Sequence, residues 1–279
     1  GHFTRELLAL KLLGLVSALA VGGAVYVVAR TRIGNWPAAA LAAAASSHPY
    51  AIEMLAWGGA PQLLGTAFLV PAVYLWVKGI EDSNAPSLAA ASILGAVASA
   101  THQLVAIELV LAALFGVALV MTRKVMSHDR DRTAQSLAAL RRVALLLVVL
   151  ALVLAPFYYR IVANLAGNPA NPLEMSLFDS VLRIGRWHGD NWIWVSAFVL
   201  IFPCSVYLAA RGDKTAVTAT ALCVSAGLVL VVTQEVRSVH LLETGLLLGS
   251  APVAVLFARP FRLKVLQRQT IRRGHRLGV

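Results

Sequence analysis

The chain has 279 residues, 59% of them hydrophobic and 13% charged, with a mean hydropathy of +0.75 and a formal net charge of +11. That balance excludes an ordinary soluble globular domain and fits a polytopic membrane protein. The positive charge does not require nucleic acid as a partner, because 18 of the 24 Lys and Arg fall in segments that a single topology gathers on one face of a bilayer.

A helix needs about 20 apolar residues to cross a hydrocarbon core of about 30 Å, where unsatisfied backbone groups cannot face lipid. In chain order, the segments that meet or approach this are 7–29, 61–78, 103–122, 143–159, 192–210, 215–234 and 240–258, and two shorter ones lie at 36–47 and 86–101. Counting both short segments gives an all-α transmembrane bundle of about nine helices. It also places Arg30, Arg32, Lys78, the basic loop after residue 122, Arg211, Lys214 and the tail 259–279 on one face. Dropping one short segment would put basic loops on both faces, so the positive-inside rule favours nine passes and a cytoplasmic C-terminal tail. Residues 1–258 are then the membrane domain, with an external loop at 160–191.

The first apolar run begins close to Gly1 with no basic stretch and cleavage site of a signal peptide before it. The expectation is that the chain is part of a longer protein. The Ala-rich run 37–47 permits close helix packing without strong hydrophobic drive. In the loop 160–191, Asn-Pro occurs twice and is followed by apolar residues at helical spacing, as for a short helix lying on the outer interface. Trp187, Trp192 and Trp194 suit the headgroup level that follows. Cys204 and Cys223 both lie in apolar runs and are read as small hydrophobes rather than a disulfide pair.

With this topology, Glu6, Glu53, Glu108 and Glu243 lie at or just beneath the outer face, together with His102 and His240. Glu108 is expected about 8 Å below the hairpin tip at His102 and Gln103. A carboxylate there needs a polar cavity, a partner or a proton, or else it snorkels to the headgroups. Arg237, His240, Glu243 and Thr244 recur at three- and four-residue spacing and share one helix face, either as a site or as packing pairs such as Arg237 with Glu235. An arginine there has the fork geometry that holds a phosphate. His102 and Gln103 are either ligands or simply solvated, and the stretch Glu53 to Pro61 is either a cavity wall or a helix break with Pro61 in the first turn. Motifs for nucleotide hydrolysis, dinucleotide redox chemistry and zinc hydrolysis are absent from the sequence, no metal site is expected, and no cofactor is specified.

The external "WGG-x-P" turn at Trp57 to Pro61, the "THQL" tip at Thr101 to Leu104 and "E-x-R-x-x-H-L" at Glu235 to Leu241 together resemble the GT-C superfamily of polyprenyl-phosphate-sugar-dependent membrane glycosyltransferases. The resemblance implies a lipid-linked sugar donor used outside the membrane and a carboxylate base in the first external loop, of which Glu6 would be the remnant here. It extends to Glu6 or Glu53 as acid/base group, Arg237 as phosphate clamp, and His102, Gln103 and His240 as orienting donors. Trp57 would be a sugar-stacking face, and Gly58 and Gly59 would permit close backbone approach. Glu108 and Glu243 complete the candidate substrate-binding set. The alternatives are a non-catalytic membrane scaffold, or a solute transporter whose pathway Glu108, Arg237 and Glu243 would line.

Overall fold

The computed structural model describes residues 2–47, 59–126, 192–233 and 238–276, together with positions 134, 137, 138 and 141. Among the described residues there are eight helices: α1 (His2–Ile33), α2 (Asn35–Ser47), α3 (Ala60–Glu81), α4 (Ala85–Thr101), α5 (Gln103–Met126), α6 (Trp192–Ala210), α7 (Lys214–Thr233) and α8 (Val239–Arg276). The architecture is an all-helical membrane bundle. Four stretches are long and apolar enough to cross a membrane: Glu6–Ile33, Ala60–Glu81, Gln103–Met126 and Val239–Ala258. The two short segments are helices of 13 and 17 residues, and the expected pass at 143–159 and the loop 160–191 lie outside the described residues. The tail expected from residue 259 continues α8 as helix through Arg276.

The helix boundaries follow from local chemistry. Gly34 and Gly212 hold φ of +83° and +87°, conformations that cost a side-chain-bearing residue free energy, and each lets one helix stop and the next turn back within a few residues. Asn84 caps α4, its side-chain oxygen accepting the Ser87 N–H at 3.0 Å. Asp213 does the same for α7, accepting from Ala216 N–H at 3.0 Å. Arg211-Gly212-Asp213 is therefore a helix–turn–helix junction.

Packing is that of a protein solvated by lipid. The interior contains small and hydroxyl-bearing residues, while Leu12, Leu15, Ile93, Leu114, Val199 and Leu200 face outward. Several buried hydroxyls bond within their own helices: Thr218 donates to Lys214 O at 2.9 Å and Ser225 to Leu222 O at 2.9 Å. Small residues set the interhelical distances. A Cβ on Gly22 of α1 would collide with Ser46 and with Ala42 O of α2, and one on Gly245 of α8 would lie 2.7 Å from Cys223 Sγ of α7. α7 is buried almost all round, packing on α3, α5, α6 and α8.

One end of the bundle is ionic. Arg32 pairs with Asp213 at 2.7 Å, Arg123 with Glu81 at 2.6 Å and Lys214 with Asp82 at 2.5 Å. The buried Lys124 ammonium donates to Ile80 O at 3.0 Å, neutralising a C-terminal carbonyl of α3. These bonds tie the ends of α1 and α3 to the start of α7 and the end of α5 to the end of α3, so Arg32, Arg123, Lys124 and Lys214, which the sequence assigns to one face, do converge.

Candidate functional site

At the other end, polar residues collect between helices. Gln62 and Thr66 stand four apart on the first two turns of α3, so both fall on one face, and both are buried, at 1% and 0% exposure. His240, in the first turn of α8, is equally enclosed, and its Nε2 lies 2.7 Å from Thr66 Oγ1. The hydroxyl also lies 3.0 Å from Gln62 O, to which it donates. With that proton committed to the carbonyl, the imidazole must supply Nε2–H to the threonine oxygen. The opposite tautomer requires the hydroxyl to turn away from Gln62. Glu243 and Thr244 follow one turn further along α8, both buried, and Thr244 donates to His240 O at 2.7 Å.

Glu108 approaches from α5. The Cβ that Gly65 lacks would meet Val105 Cγ2 at 2.8 Å, so this turn of α3 packs closely on α5 at Val105, and Glu108 lies three residues on, on the same side of α5. Its side chain has no solvent exposure, which removes the snorkelling alternative. The structure thus gives each of Gln62, Thr66, His240 and Glu243 a buried position near the N-terminal ends of α3 and α8, and Glu108 a buried position near the N-terminal end of α5, which packs on α3. Gln62 and Thr66 were missed in the sequence, although their spacing of four within an apolar run was the available signal.

The other candidates are placed differently. His102 is the one residue between α4 and α5, and its Nδ1 accepts Leu104 N–H at 3.2 Å, so the ring caps α5. Gln103 beside it is exposed. Gly59 precedes α3 with an unremarkable φ of −76°, and Pro61 occupies the first turn, which satisfies the helix-start requirement for this stretch. Glu53, Trp57, Gly58 and Arg237 lie outside the described residues, in segments adjoining the starts of α3 and α8.

Glu6 stands apart. Val21 of α1 packs in one cluster with Leu63 and Val239, which puts it at the level of the polar group. From Val21 back to Glu6, α1 rises about 22 Å. Glu6 is exposed there, among Leu7, Leu8 and Leu10, which are exposed as well. The polar group is therefore set well back along the bundle from the N-terminal end of α1. That depth is where low dielectric strengthens hydrogen bonds and charge interactions.

Chemically, the group offers two carboxyls, an imidazole, an amide and hydroxyls within an apolar frame, which suits proton transfer and the orientation of a hydroxylated substrate. Among the described residues, no three His, Cys, Asp or Glu side chains come together as a metal site. No family model, curated protein or solved structure matches the chain.

Proposed function

We propose that this chain forms the membrane core of a GT-C-like glycosyltransferase, which takes a sugar from a polyprenyl-phosphate donor on the outer face of the plasma membrane. The proposal includes a nine-pass topology with the basic end and the C-terminal tail in the cytoplasm. The observation that carries it is the set of buried polar residues Gln62, Thr66, Glu108, His240 and Glu243 away from the ionic end, on α3, α5 and α8, the first and last of which begin just after Glu53, Trp57 and Arg237 in the sequence.

In the reaction, an acceptor hydroxyl oxygen attacks the anomeric carbon, its proton passes to a carboxylate, and the bond to the phosphate oxygen breaks. The electron pair leaves on the polyprenyl phosphate. Glu53 is assigned as the base and Arg237 as the group that stabilises the departing phosphate. His240, held by Thr66, orients the substrate hydroxyls, and Trp57 stacks on the sugar.

The test is transfer from a labelled polyprenyl-phosphate sugar in membranes containing the protein. Glu53→Gln is expected to lower turnover by roughly 10²-fold or more, as for loss of a general base. Arg237→Ala is expected to lower it by about the same factor, as for loss of a stabilising donor. Transfer unchanged in both variants would remove the assignment.

A second reading, solute transport, is favoured by one observation, the position of buried Glu108 and His240 well back along the bundle from the N-terminal end of α1, since transporters bind near mid-membrane. Counterflow of a solute in proteoliposomes, sensitive to Glu108→Gln and without any sugar transfer, would decide for it.

A further inference from the structure

The ionic end encloses a second feature with no part in sugar transfer. A cavity of about 500 Å³ opens between the ends of α1, α6 and α7 and the flanks of α3 and α8. Arg32, Arg211 and Lys214 line it, against a single carboxylate, Asp213. Their pairings are unequal. Arg32 is bound to Asp213 and Lys214 to Asp82, whereas Arg211 has no carboxylate partner among the described residues and instead lies 5.1 Å over the ring of Tyr207. Stacking uses the face of the guanidinium and leaves its in-plane N–H fork available. Thr31, Tyr74 and Thr215 add hydroxyl groups to the same wall.

An arginine stacked on a tyrosine, with no carboxylate partner among the described residues, beside a cavity that Tyr74 and Thr215 supply with hydroxyls, matches a phosphate group bound by charge-assisted hydrogen bonds. The volume is in the range of small-ligand sites and exceeds the needs of a lone ion. The place is also where basic pockets between membrane helices take acidic headgroups. We propose that this cavity binds a phosphate group, with Arg211 as its main contact, supplied either by the headgroup of an acidic phospholipid or by a free phosphate.

The full chain in nanodiscs of phosphatidylcholine, with increasing phosphatidylglycerol, gives the first arm. Retained lipid is counted by native mass spectrometry, and the melting temperature is followed in parallel. Wild type is expected to retain phosphatidylglycerol in preference to phosphatidylcholine, and Arg211→Gln to weaken that preference about tenfold, as for loss of one charge-assisted pair. Arg30→Gln is the control, because Arg30 is likewise stacked on a tyrosine, 5.7 Å over Tyr26, but does not line the cavity.

Inorganic phosphate added to delipidated protein gives the second arm. Stabilisation that depends on Arg211 assigns the free ion as a ligand, while Arg211-dependent retention of phosphatidylglycerol alone assigns the lipid. Tyr207→Leu removes the platform without removing the charge and is expected to weaken binding several-fold, so the test survives if Arg211→Gln fails to fold. Equal lipid retention and equal phosphate response in wild type, Arg211→Gln and Tyr207→Leu would overturn the proposal. Since none of these readouts involves sugar transfer, failure here is distinct from failure of the proposed function.

Discussion

The Thr66 hydroxyl joins two groups, donating to the Gln62 carbonyl at 3.0 Å and lying 2.7 Å from His240 Nε2, whose N–H it accepts. Because all three groups are buried, removing the hydroxyl leaves an imidazole nitrogen without its partner rather than exposing it to water. Thr66→Val, nearly the same shape, is therefore expected to destabilise the protein by about 1–3 kcal/mol, measured as a fall in the thermal unfolding midpoint. Thr66→Ser keeps the oxygen and should recover most of that loss. Such a network is hard to see in sequence. His240 and Glu243 are visible as polar residues at helical spacing, but Gln62 and Thr66 look like incidental polarity at the start of a span, and only the approach of α8 to α3 gives them a role. His102, read at its tight hairpin as either a ligand or a solvated side chain, also has a structural part that the sequence does not announce, since Nδ1 accepts from the backbone of the next helix.

At the scale of elements, apolar run length located helices but not the expected nine passes, since among the described residues four helices are long and apolar enough to cross a membrane. The runs expected at 61–78, 103–122 and 192–210 match Ala60–Glu81, Gln103–Met126 and Trp192–Ala210, with differences only where charged residues extend a helix past the hydrocarbon. How the helices pair was not legible, because pairing depends on which small residue meets which backbone. Gly245 is a case in point, with Ala219 O 3.2 Å and Cys223 Sγ 2.7 Å from where a Cβ would stand. Gly245→Val should force α7 and α8 apart and cost about 1–3 kcal/mol, as overpacking does. In the same variant, Cys223, buried in wild type, should become reactive toward a membrane-permeant maleimide, which checks that the separation is local.

For the whole molecule, the three ion pairs at one end draw helices together and give the bundle a direction. Cysteines at Ser83, in the turn between α3 and α4, and at Ser47, the last residue of α2, are both on exposed positions and should be labelled by an impermeant maleimide from opposite sides of the membrane. Labelling of both from the same side would contradict the topology. Glu81→Gln removes the partner of Arg123 near the junction of α3 and α5. A loss of about 1 kcal/mol or less is expected, since Arg123 is partly exposed and water screens the pair, and added salt should narrow the difference from wild type.

From its own order of residues, the chain determined that it is helical, membrane-embedded and basic at one end, because hydrophobic run length and charge placement act locally and need no knowledge of neighbours. The tertiary structure decided which polar groups are buried together, that Glu6 stands about 22 Å along α1 from the level of His240, and that Arg211 faces a cavity. These depend on the rotation and stagger of each helix against the next, which packing of small residues sets and no single segment encodes.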